Sequence, residues 1–252
     1  MTKRLYGKIA LVTGASRGLG FATAVHLARE GAHIIATART QGGLEELDDA
    51  VQAVGGSATL VPHDLRDFDG IDRLGAAIYE RWKRLDILIG NAGVLGKLAP
   101  LPHTDPKVWN EVMEISVTAN YRLIRSMDPL LRLSDAGRAV FLTSGYALKC
   151  TPYWGAYCVS RAALEAMMKV YAAEMANSKV RVNCFSPGPV RTDLRATAMP
   201  GEDPETLPTP AQVMAQIVPL CLSEFTDSGA VYRYSPTGVY KQYGAEDLLP
   251  KS

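Results

Sequence analysis

Tyr157 and Arg161 stand four residues apart in the stretch GAYCVSRAALE, residues 155–165, where helical periodicity begins. Residues at i and i+4 share one face of a helix, so a phenol and a permanent cation meet there. A cation beside a phenol favours the phenolate and lowers a pKa that is about 10 in free tyrosine. The pair can therefore exchange a proton near neutral pH, or it is a packed aromatic beside a surface charge. A second stretch, TGASRGLG at residues 13–20, places Gly14, Gly18 and Gly20 around Ser16, Arg17 and Leu19, between an apolar run and a helical pattern. Glycines in that position let the backbone approach a pyrophosphate while the helix N-terminus offers unpaired N–H groups. A tight strand-to-helix turn uses glycine for steric reasons alone.

The next apolar run ends in ATART, with no acid where a carboxylate would bind a ribose 2′-hydroxyl. Arg39 stands there instead, and Arg17 lies in the glycine stretch. Two guanidiniums favour a 2′-phosphate, since their planar donors match phosphate oxygens. The expected cofactor is NADP(H), with NAD(H) possible; the other reading is two solvated arginines on exposed loops.

Short apolar runs alternate with helical patterns along the chain, the order of βαβ units and a parallel sheet covered by helices. KIALVTGA, HIIATA, ATLVPHDL, LDILIGNAG, RAVFLTSG and VRVNCFSPG read as strands, and GAVYRYS as an edge strand. Helices are expected over residues 18–31, 43–56, 68–83, 108–132, 157–176 and 211–222. The segment between them at about 190–210 is rich in proline, acid and small residues and reads as a lid loop. The fold class is thus a single doubly wound α/β domain over residues 1–252 with helices on both faces of the sheet.

The 27 basic and 26 acidic residues nearly cancel, which excludes the broad charge of a nucleic-acid or anionic-membrane binder. Cys150, Cys158, Cys184 and Cys221 form no CxxC pair, and the four histidines lack ligand spacing, so no metal is expected. IALV is too short for a signal core and no run approaches a membrane span, so a cytoplasmic protein is expected.

Taken together, TGASRGLG, HDL, NAG, TSG, the Tyr157 helix and SPGPVRT resemble the short-chain dehydrogenase/reductase family over nearly the whole chain. The resemblance implies a Rossmann fold and hydride transfer between a nicotinamide cofactor and a small-molecule carbonyl or alcohol. It implies that Asp64 and Leu65 lie beside the adenine, that Asn91, Ala92 and Gly93 run along the cofactor's ribose, and that Pro187, Gly188, Val190 and Thr192 meet the nicotinamide. Ser144 would hold the substrate oxygen and Tyr157 would act as general acid/base. Two positions depart from the family pattern: Arg161 replaces its lysine and Ser116 its asparagine. Arginine keeps the charge, but its bulkier fork need not reproduce the lysine's hydrogen bonds. Serine is too short to duplicate an amide's contacts. The alternative is a catalytically impaired nucleotide-binding homologue acting as a sensor or assembly partner.

The substrate pocket is expected to include Leu95, Tyr153, Trp154 and Met199. Arg191 and Arg195 could recognise an acidic group or pair with neighbours such as Asp193. The family's habit implies a homodimer or homotetramer. An atypical C-terminal tail at about 235–252, with Tyr240 and Tyr243, would pack on a second subunit or cover the chain's own sheet edge.

Overall fold

A computed structural model describes residues 3–244. The strands are β1 (Ile9–Thr13), β2 (His33–Ala38), β3 (Ser57–Pro62), β4 (Ile87–Gly90), β5 (Arg138–Leu142), β6 (Arg181–Ser186), β7 (Val231–Arg233) and β8 (Tyr240–Tyr243). They form one sheet in the order β3-β2-β1-β4-β5-β6-β7-β8, parallel throughout except for antiparallel β8. The single-domain α/β fold expected from the sequence is present.

Alternation along the strands explains the two layers. In β1, Ala10 and Val12 face a core shared with Leu27 and Leu44, whereas Ile9 and Leu11 face a second core with Leu74, Leu123 and Met127. Successive strand residues point to opposite faces, so an unbroken apolar run demands helices on both sides. On the first face lie α1 (Gly18–Arg29) and α2 (Gln41–Ala53); on the second lie α3 (Phe68–Trp82), α5 (Ala119–Arg132) and α7 (Gly155–Glu174). Asp86, 1% exposed, ties the sheet's centre together just before β4. It accepts from Ile9 N at 2.9 Å and Ser134 Oγ at 2.6 Å, with the Lys8 and Arg84 cations beside it.

Three expectations are corrected. The helix expected over residues 108–132 is two helices, α4 (Pro106–Met113) and α5, joined by a π-turn at Glu114–Thr118. GAVYRYS is not an edge strand: its β7 core lies between β6 and β8, because Tyr240–Tyr243 folds back and pairs with it. That hairpin covers the chain's own sheet edge, one of the two roles foreseen for the tail; residues 245–252 of that tail lie outside the described residues. The helix expected over residues 211–222 is a short α9 (Pro210–Met214) followed by a 3-10 helix (Ala215–Cys221). Pro219 lacks the N–H that an α-helix would use there. The lid segment also carries a helix, α8 (Asp193–Ala198), started by the Thr192 hydroxyl accepting from Arg195 N at 3.2 Å. Among the described residues no helix is long and apolar enough to cross a membrane.

Candidate active site

Strand order reverses between β1 and β4, and α/β sheets form ligand crevices outside the carboxyl ends of the strands at such a point. A cleft of about 740 Å³ lies there. At one end, Gly14, Ser16, Arg17, Gly18 and Leu19 line it after β1, with Arg39 after β2 and Asp64 and Leu65 after β3. Asn91, Ala92 and Gly93 follow β4. Ser144, Tyr157 and Arg161 line the other end, beside Pro187, Gly188, Val190 and Thr192. Two of the expected residues do not reach the cleft: Gly20 lies behind the glycine turn, and Ser116 is fully buried in the π-turn.

The glycine turn is built to leave room. Gly14 has φ +64°, and a Cβ there would sit 2.9 Å from Asn91 Nδ2. A Cβ on Gly20 would sit 2.2 Å from the Gly14 carbonyl oxygen, so only glycine lets α1 start this close to β1. Arg17 precedes α1 without a side-chain cap, and the first turn holds no acid, so the leading N–H groups face the cleft unneutralised. These features fit a pyrophosphate. Asn91 locks the turn from the β4 side: its Nδ2 donates to the Thr13 carbonyl at 2.8 Å and the Gly14 carbonyl at 3.2 Å.

Arg17 and Arg39 open on the same end of the cleft. Arg17 Nη1 pairs with Asp193 of α8 at 3.2 Å, an exposed pair, whereas Arg39 makes no ion pair among the described residues. Asp64 is held by Arg66 at 2.5 Å, and that hydrogen bond lowers its carboxyl to a pKa of about 2.

At the reactive end Tyr157 is 8% exposed and Arg161 is 4% exposed, so the pair is buried rather than superficial. The Arg161 guanidinium carbon lies 5.0 Å from the Tyr157 ring centroid. Its Nη1 donates to the Leu142 carbonyl at 3.0 Å, and its Nη2 fills the space that a Cβ on Gly93 would need. Arg161 Nε and Ser116 Oγ are buried without partners. Asn120, buried in α5, donates from Nδ2 to the Ser116 carbonyl at 2.9 Å. Lys149 is exposed at the end of α6 (Tyr146–Lys149).

An aromatic wall completes this end. Tyr146 stacks on Trp154 with centroids 3.8 Å apart and planes 9° apart, and Tyr157 meets both edge-on. Tyr146 lies two residues beyond Ser144 and opens the stretch YALKCTPYW that also carries Tyr153 and Trp154. Of the expected pocket residues Trp154 lines the cleft, and Leu95 packs behind it with Tyr157. Tyr153 turns away: its backbone is left-handed at φ +73°, and its side chain is 62% exposed. Met199 lines a neighbouring hollow under the lid. The lid arginines are paired within the lid, Arg191 with Glu205 at 2.8 Å and Arg195 with both oxygens of Glu202 at 2.6 Å.

A doubly wound sheet with a glycine turn at its switch point defines the architecture of the dinucleotide-binding α/β class. Residues 8–203 match the short chain dehydrogenase family, and the chain belongs to it. It is 38% identical over 213 residues to the oxidoreductase YciK of Escherichia coli K12, covering 83% of this chain and 84% of that protein. A short chain dehydrogenase of Salmonella enterica serovar Typhi superposes with a TM-score of 0.89 at 35% identity, over 94% of this chain and 99% of that one. A short chain dehydrogenase of Shigella flexneri complexed with NADP superposes with a TM-score of 0.87 at 36% identity, over 92% and 99%.

Proposed function

We propose that the protein is an NADP(H)-dependent oxidoreductase that interconverts a small-molecule carbonyl and its alcohol, with Tyr157 as general acid/base. One observation carries the reading: Ser144, Tyr157 and Arg161 open on one end of the cleft whose other end holds the glycine turn, Arg17 and Arg39. NADPH bound along that cleft would supply the hydride. Gly14, Ser16, Gly18 and Leu19 would border its pyrophosphate, with Gly20 letting α1 approach, and Arg17 and Arg39 would take its 2′-phosphate. Asp64 and Leu65 would face the adenine, Asn91, Ala92 and Gly93 the ribose, and Pro187, Gly188, Val190 and Thr192 the nicotinamide.

In the chemistry left to this chain, the Ser144 hydroxyl donates to the substrate oxygen and Tyr157 hands that oxygen a proton. Arg161 holds its guanidinium over the Tyr157 ring, 5.0 Å from the centroid, on the side of the site where that proton moves. Tyr146 and Trp154 form the aromatic wall of the same end.

A second reading, a nucleotide-binding protein with impaired catalysis, is favoured by Arg161. Its Nη1 is engaged by Leu142, its Nε is orphaned, and Ser116 Oγ is orphaned as well. The test is NADPH oxidation with 4-nitrobenzaldehyde and a panel of ketones, comparing the native chain with Tyr157→Phe and with Arg161→Lys/Ser116→Asn. Turnover well above Tyr157→Phe supports the enzyme. Turnover that emerges only in the double variant supports the second reading, and NADPH binding without turnover in any chain refutes the first.

A further inference from the structure

Glu165 is an unexplained acid: it lies on the buried side of α7, 4% exposed, and has no salt-bridge partner among the described residues. Burying a carboxylate is costly unless hydrogen bonds replace its water. Two hydroxyls do so. Thr143 Oγ1 donates to Glu165 Oε1 at 2.6 Å, and Tyr243 of β8 donates to Glu165 Oε2. Hydroxyl-to-carboxylate bonds of this length belong to the strong, charge-assisted class. Burial, and then the Glu165 carboxylate, push the Tyr243 phenol well above its ordinary pKa, so it stays a donor. One turn further along α7, the Lys169 ammonium lies 4.8 Å from the centroid of the Tyr243 ring.

The placement of the two donors gives the cluster its meaning. Thr143 directly precedes Ser144, and its N–H is already held by the Phe185 carbonyl at 2.9 Å. Glu165 lies two turns beyond Tyr157 on the same helix. The carboxylate therefore bridges the segment that presents Ser144 and the helix that presents Tyr157, and β8 closes on that bridge from the far side.

We propose that Glu165 is a positioning residue, clamping the Ser144 turn to α7 through Thr143 and secured by Tyr243, so that the C-terminal hairpin sets the spacing of the reactive pair. The proposal rests on the oxidoreductase reading for its effect on turnover.

The test compares the full chain with Tyr243→Phe and Thr143→Val, with Thr143→Ser as the conservative variant that keeps the hydroxyl. Turnover is read with NADPH and 4-nitrobenzaldehyde, NADPH binding by nicotinamide fluorescence, and melting by calorimetry. The Tyr157 ring is read by NMR of Cζ-labelled tyrosine, its signal identified with Tyr157→Phe. A misplacement of about 1 Å can cost about 100-fold in rate. The expected result is a kcat about tenfold lower in Tyr243→Phe and up to about 100-fold lower in Thr143→Val, with NADPH affinity within about twofold and the Tyr157 signal moved. Thr143→Ser should recover most of the loss. Unchanged kcat with an unmoved Tyr157 signal in both variants overturns the clamp. So do losses of kcat, NADPH affinity and melting temperature that rise and fall together, because those describe general loosening. If the native chain turns over no carbonyl, the oxidoreductase reading fails separately; a moved Tyr157 signal then still supports the clamp, and an unmoved one overturns it.

Discussion

Removing Arg39 should weaken NADPH binding more than removing Arg17, although both guanidiniums face the same end of the cleft. A hydrogen bond to a charged group contributes about 1.5–3 kcal/mol net, or about 10- to 150-fold in affinity. Arg39 makes no ion pair among the described residues, so Arg39→Ala should forfeit that whole range. Arg17 starts from the Asp193 pair at 3.2 Å, with the two side chains 75% and 81% exposed. Such exposed pairs contribute about 0.2–1 kcal/mol, and Arg17 must release its partner to meet a phosphate. Arg17→Ala should therefore cost about 0.5–2.8 kcal/mol, roughly 2- to 110-fold. Asp193→Ala should do the opposite and tighten NADPH by about 1.4- to 5-fold. Fluorescence titrations with NADPH and NADH at one fixed salt concentration read all three variants, and NADH affinity should move by less than about twofold in each. Equal losses for NADPH and NADH in Arg39→Ala would refute the assignment of these arginines to the 2′-phosphate. Weaker NADPH binding in Asp193→Ala would refute the competition.

Two further outcomes concern stability. Asp86→Ala leaves the buried Ile9 N–H and Ser134 hydroxyl without their acceptor and the Lys8 and Arg84 cations without their counter-charge. It should cost about 3 kcal/mol or more, lowering the melting temperature by about 6–12 °C with NADPH binding retained, and a drop under about 2 °C would contradict this. His33 bonds Ser57 Oγ at 2.7 Å and Thr59 Oγ1 at 2.9 Å, and burial lowers its pKa; burial lowers that of His26 as well. Because the unfolded chain then binds more protons near its histidine pKa of about 6.5, stability rises with pH through that region and is lost as pH falls below it. Calorimetry from pH 7.5 to 5.5 should show a smaller fall for His26→Gln/His33→Gln than for the native chain, and equal falls would exclude the histidines as the cause.

β1 to β7 were legible because each lies in an apolar run closed by a turn residue, and the glycine spacing could be read before any helix was seen. The π-turn was not, because Glu114–Thr118 contains no glycine or proline, and the Asn120 side chain that meets its Ser116 carbonyl one turn on carries no spacing signal of its own. β8 was missed since YKQY lacks the β-branched residues that mark strands, and its pairing with β7 depends on a chain reversal. In the site, spacing placed the glycine turn between β1 and α1 and put Tyr157 and Arg161 on one helix face, while leaving open what either feature does. The Glu165 cluster was not, yet it left a trace: an acid between Leu164 and Met168 on a stripe that is otherwise buried. The lid arginines showed only their charge, and their partners Glu202 and Glu205 depend on how the loop folds.

The hairpin of β7 and β8 also bears on the order in which the molecule is assembled. β1 to β4 and the Asn91 turn come from the first 91 of the 252 residues, so the glycine-turn end of the cleft has its own sheet early in synthesis. Tyr243 follows about 150 residues later, a delay on the order of ten seconds or more at ribosomal rates. A nascent chain at that stage has the strands and the glycine turn well before Tyr243 can reach Glu165. The bridge at Glu165 therefore closes last, after every other strand of the sheet has been made.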